Sequence, residues 1–108
     1  MTGTPNQVEW AEEIKHSIRA EFGRVRGVFE KHALSTSTET RAQIQSLIEI
    51  LEEHQQTVLG NEDAGYFIHE WQEITDQVRL LILRDARYQE IKIRSGEMRR
   101  AAPSAESN

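Results

Sequence analysis

Apolar residues recur at steps of three and four along most of this chain, the spacing of one-faced helices. Trp10, Ala11, Ile14, Ile18, Phe22, Val25, Val28 and Phe29 fall within an arc of about 120° when wound at 100° per residue. They predict an amphipathic helix over residues 6–33, with Thr4-Pro5-Asn6 supplying capping and first-turn residues upstream. Gly23 and Gly27 sit inside it, each costing up to about 1 kcal/mol relative to alanine, and close approach of a neighbouring helix is the favoured explanation. A polar break, Ser35-Thr36-Ser37-Thr38, precedes a second helix over 38–59, capped by Ser37 or Thr38. Ile44, Leu47, Ile48, Leu51, His54 and Val58 form its apolar face, and Gly60 follows as a residue able to take positive φ. After Leu59-Gly60-Asn61, the stripe Ala64, Phe67, Ile68, Trp71, Ile74, Val78, Ile82 and Ala86 predicts a third helix over 62–94, capped by Asn61. Unbroken, it would be about 50 Å long and project beyond its partners; a kink or a separate fourth helix is the alternative.

These elements predict an all-α fold, a three-helix antiparallel bundle with a long third helix, in a single domain over 1–100 followed by a disordered tail over 101–108. Trp10 and Trp71 lie on the predicted buried stripes and are expected to anchor the core. Leu80, Leu83 and Ile91 lie off the main stripe, so the Leu80–Leu83 stretch is apolar on more than one side. An apolar fraction of 37% is low for a globular domain, and a homodimer that completes the core would account for both observations. A strand is suggested only by the alternation in Glu90-Ile91-Lys92-Ile93-Arg94.

Charge changes the picture at one end. The formal net charge is −5, yet Arg79, Arg84, Arg87, Lys92, Arg94, Arg99 and Arg100 crowd the second half of the last predicted helix and the residues just after it, while its first half holds Glu62, Asp63, Glu70, Glu73 and Asp76. Cations late in a helix complement its dipole, and a compact basic end also suits an acidic protein surface or a phosphate backbone. Tyr88 among these cations suggests base stacking, so a nucleic-acid partner is the second reading. There is no cysteine, which removes disulfides, thiolate metal sites and cysteine nucleophiles. Met1 to Gln7 lacks a signal-peptide layout and no apolar run approaches the roughly 20 residues of a bilayer span, so no membrane partner and a cytoplasmic location are expected.

Candidate chemistry is sparse. Glu13 and His16 have the spacing of a di-metal ligand pair, but Ile14 and Ile18 set the buried face and turn His16 away from it. His54, on the apolar face beside Glu52 and Glu53, reads first as a core histidine with one satisfied nitrogen. His69 and Glu70 are adjacent on a helix, diverge by about 100° and do not face each other. No phosphate loop, nucleophile elbow, His-Glu-x-x-His pair or Rossmann glycine pattern is present. No cofactor, metal or catalytic residue is therefore expected.

Two segments, Gln7-Val8-Glu9-Trp10-Ala11-Glu12-Glu13-Ile14 and Asp63-Ala64-Gly65-Tyr66-Phe67-Ile68, resemble paired motifs of a small helical module found in bacterial, phage and plasmid proteins. The resemblance implies a helical module of mobile elements and brings no activity, cofactor or catalytic residue with it. It points toward small adaptors and inhibitors of host defence. The resulting expectation is a non-enzymatic module that presents Leu80, Leu83, Arg84, Arg87, Tyr88, Ile91, Lys92 and Arg94 to a macromolecular protein partner, apolar anchors within a charged rim.

Overall fold

The computed structural model describes the backbone of residues 1–101 and the side chains of residues 1–94. Most of the predicted tail therefore lies outside the described residues. Helix α1 spans Pro5–Ala33 and begins with a reciprocal cap. The Gln7 amide donates to Thr4 Oγ1 at 3.2 Å and the Thr4 amide donates to Gln7 Oε1 at 3.0 Å, so two first-turn donors are satisfied, with Pro5 at the position where a missing N–H is harmless. Helix α2 spans Thr38–Leu59 with Ser37 as its cap. The turn between them is held by Arg41, whose Nε donates to the Ala33 carbonyl at 3.0 Å and whose Nη2 donates to that of Thr36 at 3.3 Å. A cation thereby meets the last carbonyl of α1, where the helix dipole is negative, and a carbonyl of the turn. Gly60 closes α2 at φ −77°, in the helical region rather than at positive φ, and a Cβ there would stand 3.0 Å from the Gln56 carbonyl oxygen.

The third arm is not one helix. It divides into α3 (Ala64–Glu70), α4 (Ile74–Leu83) and α5 (Ala86–Ala101). At the first break Trp71 leaves the helical region at φ −114°, ψ 59°. Gln77 reaches back across the gap, accepting the Glu73 amide at 2.9 Å on Oε1 and donating through Nε2 to the Glu70 carbonyl. One side chain replaces the backbone bonds that an unbroken helix would make there. At the second break Asp85 Oδ1 accepts the Arg87 amide at 2.8 Å and starts α5 as an N-cap. The cap of α3 is Asp63, which accepts from Gly65, rather than Asn61, whose side chain instead accepts the Asp63 amide. Glu90–Arg94, strand-like in sequence, is part of α5.

Helix α1 packs on α2, α3 and α4, while α5 rests on α2 and α4. Ala11, Ile18 and Phe22 from α1 are completely buried with Phe67 and Val78, and Leu51 joins them at 1% exposure, so a core closes within one copy of the chain. The N-terminus straps this core: the Thr2 amide donates to the Glu62 carbonyl at 2.7 Å and the Ala64 amide donates to the Thr2 carbonyl at 2.9 Å. Gly3 makes the strap possible, because φ is +140° and a Cβ would lie 2.9 Å from that of Ala64.

Two expectations on α1 are corrected by this packing. Trp10 is 55% exposed and Val28 56% exposed. Both stand at about 0° on the helical wheel, whereas Ala11, Ile18 and Phe22 centre the buried stripe about 100° away. Nor do Gly23 and Gly27 admit a neighbour, since a Cβ on either meets nothing within 4 Å. Gly23→Ala and Gly27→Ala are each expected to stabilise the chain by about 0.5–1 kcal/mol, the helix propensity difference, seen as a raised urea midpoint at unchanged slope. A loss of stability in either variant would mean that something does approach this face.

Candidate functional site

A groove of about 430 Å³ lies where α2, α3 and α4 meet, at the first break of the third arm. The break shapes it. Trp71, 5% exposed, forms a wall with Tyr66, and Leu80 and Leu81 of α4 supply the apolar side opposite. Glu70 and Gln77 stand at the gap between α3 and α4, while Arg84 and the His54–Asp85 pair close the other end. Polar groups at the margins of an apolar trough suit recognition of an amphipathic surface.

Asp85 is the hub of the charged end. His54 Nε2 lies 2.8 Å from Asp85 Oδ2, and Arg87 contacts the same carboxylate through Nη2 at 3.0 Å and Nε at 3.2 Å. The Arg87 hydrogen bonds, aided by His54 and the Arg87 backbone amide, hold the Asp85 carboxyl well below the usual carboxylate range against the opposing effect of burial. An ionised carboxylate only accepts, so His54 carries its proton on Nε2 and donates to Asp85. Arg87 also reaches α2, where Nη1 meets Glu53 Oε1 at 2.8 Å, and its two carboxylate partners raise its own pKa. These contacts fasten α5 to α2.

A carboxyl with a depressed native pKa stabilises the fold at pH values above its unfolded value of about 3.8, and that contribution fades as pH falls through the native value. Asp85→Asn should therefore destabilise the chain at neutral pH by about 1–2 kcal/mol, through the lost charged hydrogen bonds to His54 and Arg87, since asparagine still caps α5. It should also lose less stability than the parent chain between pH 4 and pH 2. Equal acid sensitivity in urea melts would remove Asp85 as a source of the native pH dependence.

The residues singled out from sequence are not brought together on one patch. Leu80 and Arg84 line the groove just described. Leu83, 40% exposed, and Tyr88 line a separate small cavity against α1. Arg87, Ile91 and Arg94 border a hollow between α5 and α2, with Glu53 and Glu90 among its lining. Arg94 is paired with Glu90 at 2.6 Å, and Lys92 is exposed on α5. Tyr88 and Ile91 are partly buried against the core, which gives α5 its apolar foothold. Sequence reasoning missed Tyr66, Trp71 and Gln77 as groove residues, and it missed the partnership of His54 with Asp85; the place of His54 on an otherwise apolar stripe was the available signal.

Among the described residues no group of three or more His, Asp or Glu side chains is placed to hold a metal ion. Glu13, His16 and His69 are exposed. No helix among them is long and apolar enough to cross a membrane. Comparison with protein-family models, with curated proteins and with solved structures returns no match.

Proposed function

We propose that this chain is a non-enzymatic, cytoplasmic protein–protein interaction module, a small adaptor or inhibitor that docks on a larger complex through the groove beside α4. The observation that carries this reading is the division of labour among its cations. Arg87 and Arg94 are engaged by Asp85, Glu53 and Glu90 within the chain. Arg84 has no ion-pair partner among the described residues and stands at the end of an apolar trough. A nucleic-acid surface needs several free cations spaced along a backbone, and among the described residues internal pairing engages Arg87 and Arg94 and leaves Arg84 and Lys92. One free cation beside apolar walls is closer to the anatomy of a protein interface, in which buried anchors sit within a charged rim.

The test uses the full chain as bait in an extract of its source cells, with and without nuclease, beside a Leu80→Ala/Arg84→Glu variant whose helicity is verified by circular dichroism. A protein retained after nuclease treatment and reduced at least about tenfold by the variant is the expected result, equivalent to about 1.4 kcal/mol of binding. Recovery that disappears with nuclease would replace this reading with nucleic-acid binding. No retained protein at all would end it.

A further inference from the structure

One face of α4 carries opposite charges at its two ends, and neither is paired within the chain. Glu73, Gln77, Leu80 and Arg84 fall within an arc of about 60° at 100° per residue, turned about 150° from the buried Val78 and Ile82. Glu73 and Arg84 are exposed and have no ion-pair partner among the described residues. They stand about 16 Å apart along the helix at 1.5 Å per residue. Exposed charges are screened over about 8 Å at physiological salt, so neither satisfies the other. Glu70, exposed and likewise without an ion pair, adds a second carboxylate at the acidic end. The flanking Asp76 and Arg79 pair with each other at 3.7 Å.

Between its charged ends the stripe is apolar in effect. Gln77 spends its side-chain amide on the helix break, accepting the Glu73 amide and donating to the Glu70 carbonyl, which leaves its methylene stem as the surface it offers. Leu80 is half-buried on the trough walled by Tyr66 and Trp71. A surface complementary to this face must present a cation, an apolar centre and a carboxylate in the opposite order and at the same helical spacing. Helix α4 itself, turned end for end, has that layout.

We infer that this stripe is the contact surface of a twofold homodimer in which α4 of one copy lies antiparallel on α4 of a second. A twofold interface is self-complementary, so the pairing of Glu73 with Arg84 of the second copy brings with it the pairing of Arg84 with Glu73. The two Leu80 side chains then pack on the Gln77 stems at the centre. A parallel arrangement would set Glu73 against Glu73 and Arg84 against Arg84, a repulsive juxtaposition. The core closes within one copy, so the dimer is not required for folding. A contact between two ten-residue helices is small, and the association is accordingly weak and concentration-dependent. The inference goes beyond the docking reading. Because Leu80 and Arg84 serve both surfaces, a docked partner and a second copy exclude each other.

The experiment is sedimentation velocity of the full chain from about 10 µM to about 1 mM, the affinity range of a contact below standard size. The mass is expected to rise from that of the 12.5 kDa chain towards twice that value, with affinity falling several-fold when salt is raised. Glu73→Arg and Arg84→Glu each set like charges opposite one another at both ends of the dimer, and each should weaken self-association at least about tenfold. Glu73 makes no side-chain hydrogen bond as the cap of α4, so its replacement removes none, and circular dichroism checks that both variants keep their helicity. Mixing the two variants restores an opposite charge at each end. The mixture should therefore associate within about threefold of the parent chain, as should the double variant Glu73→Arg/Arg84→Glu. A parent chain that stays monomeric at about 1 mM, single variants that dimerise as the parent does, or a mixture no tighter than its components would each overturn the inference. The pull-down fails separately: a monomeric parent that retains a nuclease-resistant protein removes the dimer and leaves the docking module, whereas a dimeric parent that retains none removes the module and leaves the dimer.

Discussion

Phe67→Ala is expected to destabilise the chain by about 3–5 kcal/mol, a large share of the 5–15 kcal/mol typical of a whole domain. Phe67 is completely buried, and the loss combines the transfer energy of the ring with the cavity it leaves among helices anchored elsewhere. The ring also has specific neighbours. Tyr66 meets it edge-on at 5.0 Å between centroids, and the Lys15 ammonium of α1 lies 5.6 Å above its face. Helix α3 has only seven residues, far below the roughly 12–15 at which an isolated helix becomes marginal, so its helicity depends on docking. The strap through Thr2 hangs on the same segment, because its bonds end on Glu62 and Ala64. Urea melts should show the loss, and hydrogen exchange should show α3 opening before α1 and α2. A cost below 1 kcal/mol would mean that α3 does not derive its order from this contact.

That dependence explains which parts of the fold were legible in the sequence. The two long helices end within a residue of expectation because their caps are local: Thr4 with Gln7, and Ser37 ahead of Thr38, are read directly from neighbouring positions. The third arm misled because its apolar stripe crosses the breaks without interruption. Phe67, Ile68, Trp71, Ile74, Val78 and Ile82 keep helical spacing through a gap that contains neither proline nor glycine. The gap is made by Gln77, whose side chain substitutes for backbone partners, and no composition rule marks a mid-helix glutamine as a cap. Asp85 before Ala86 was the readable signal for the second break.

The candidate site divides along the same line. Leu80 stood out as a residue off the buried stripe and Arg84 as a cation of the basic end, and they do line the groove. The engagement of Arg87 was not legible, because Glu53 is 34 residues away and becomes a neighbour only when α5 folds back onto α2. Exposure of Trp10 was a matter of degree, since an arc of about 120° includes flank positions that solvent still reaches.

Trp71→Ala is the second substitution with a large expected effect, about 3–5 kcal/mol, and it acts on fold and groove together. Trp71 is 5% exposed, belongs to the core cluster, walls the groove and is the residue at which α3 leaves helical geometry. Alanine removes the buried indole and also installs the strongest helix former at the break, which favours running α3 into α4. Both effects act against the arrangement that Gln77 holds. Trp71→Phe keeps an aromatic wall and should cost less, about 1–2 kcal/mol, the difference reporting the part of the indole that phenylalanine cannot replace. The measurement is clean in a Trp10→Phe background, which removes the exposed fluorophore and leaves Trp71 as the reporter. Its emission should be blue-shifted in the folded chain and move red in a single transition with urea. A red emission in buffer would place Trp71 in water and leave the groove without its wall. If the blue emission is seen and Trp71→Phe retains the partner while Trp71→Ala does not, the groove acts through its aromatic wall; equal retention by both would shift the contact to Leu80 and Arg84 alone.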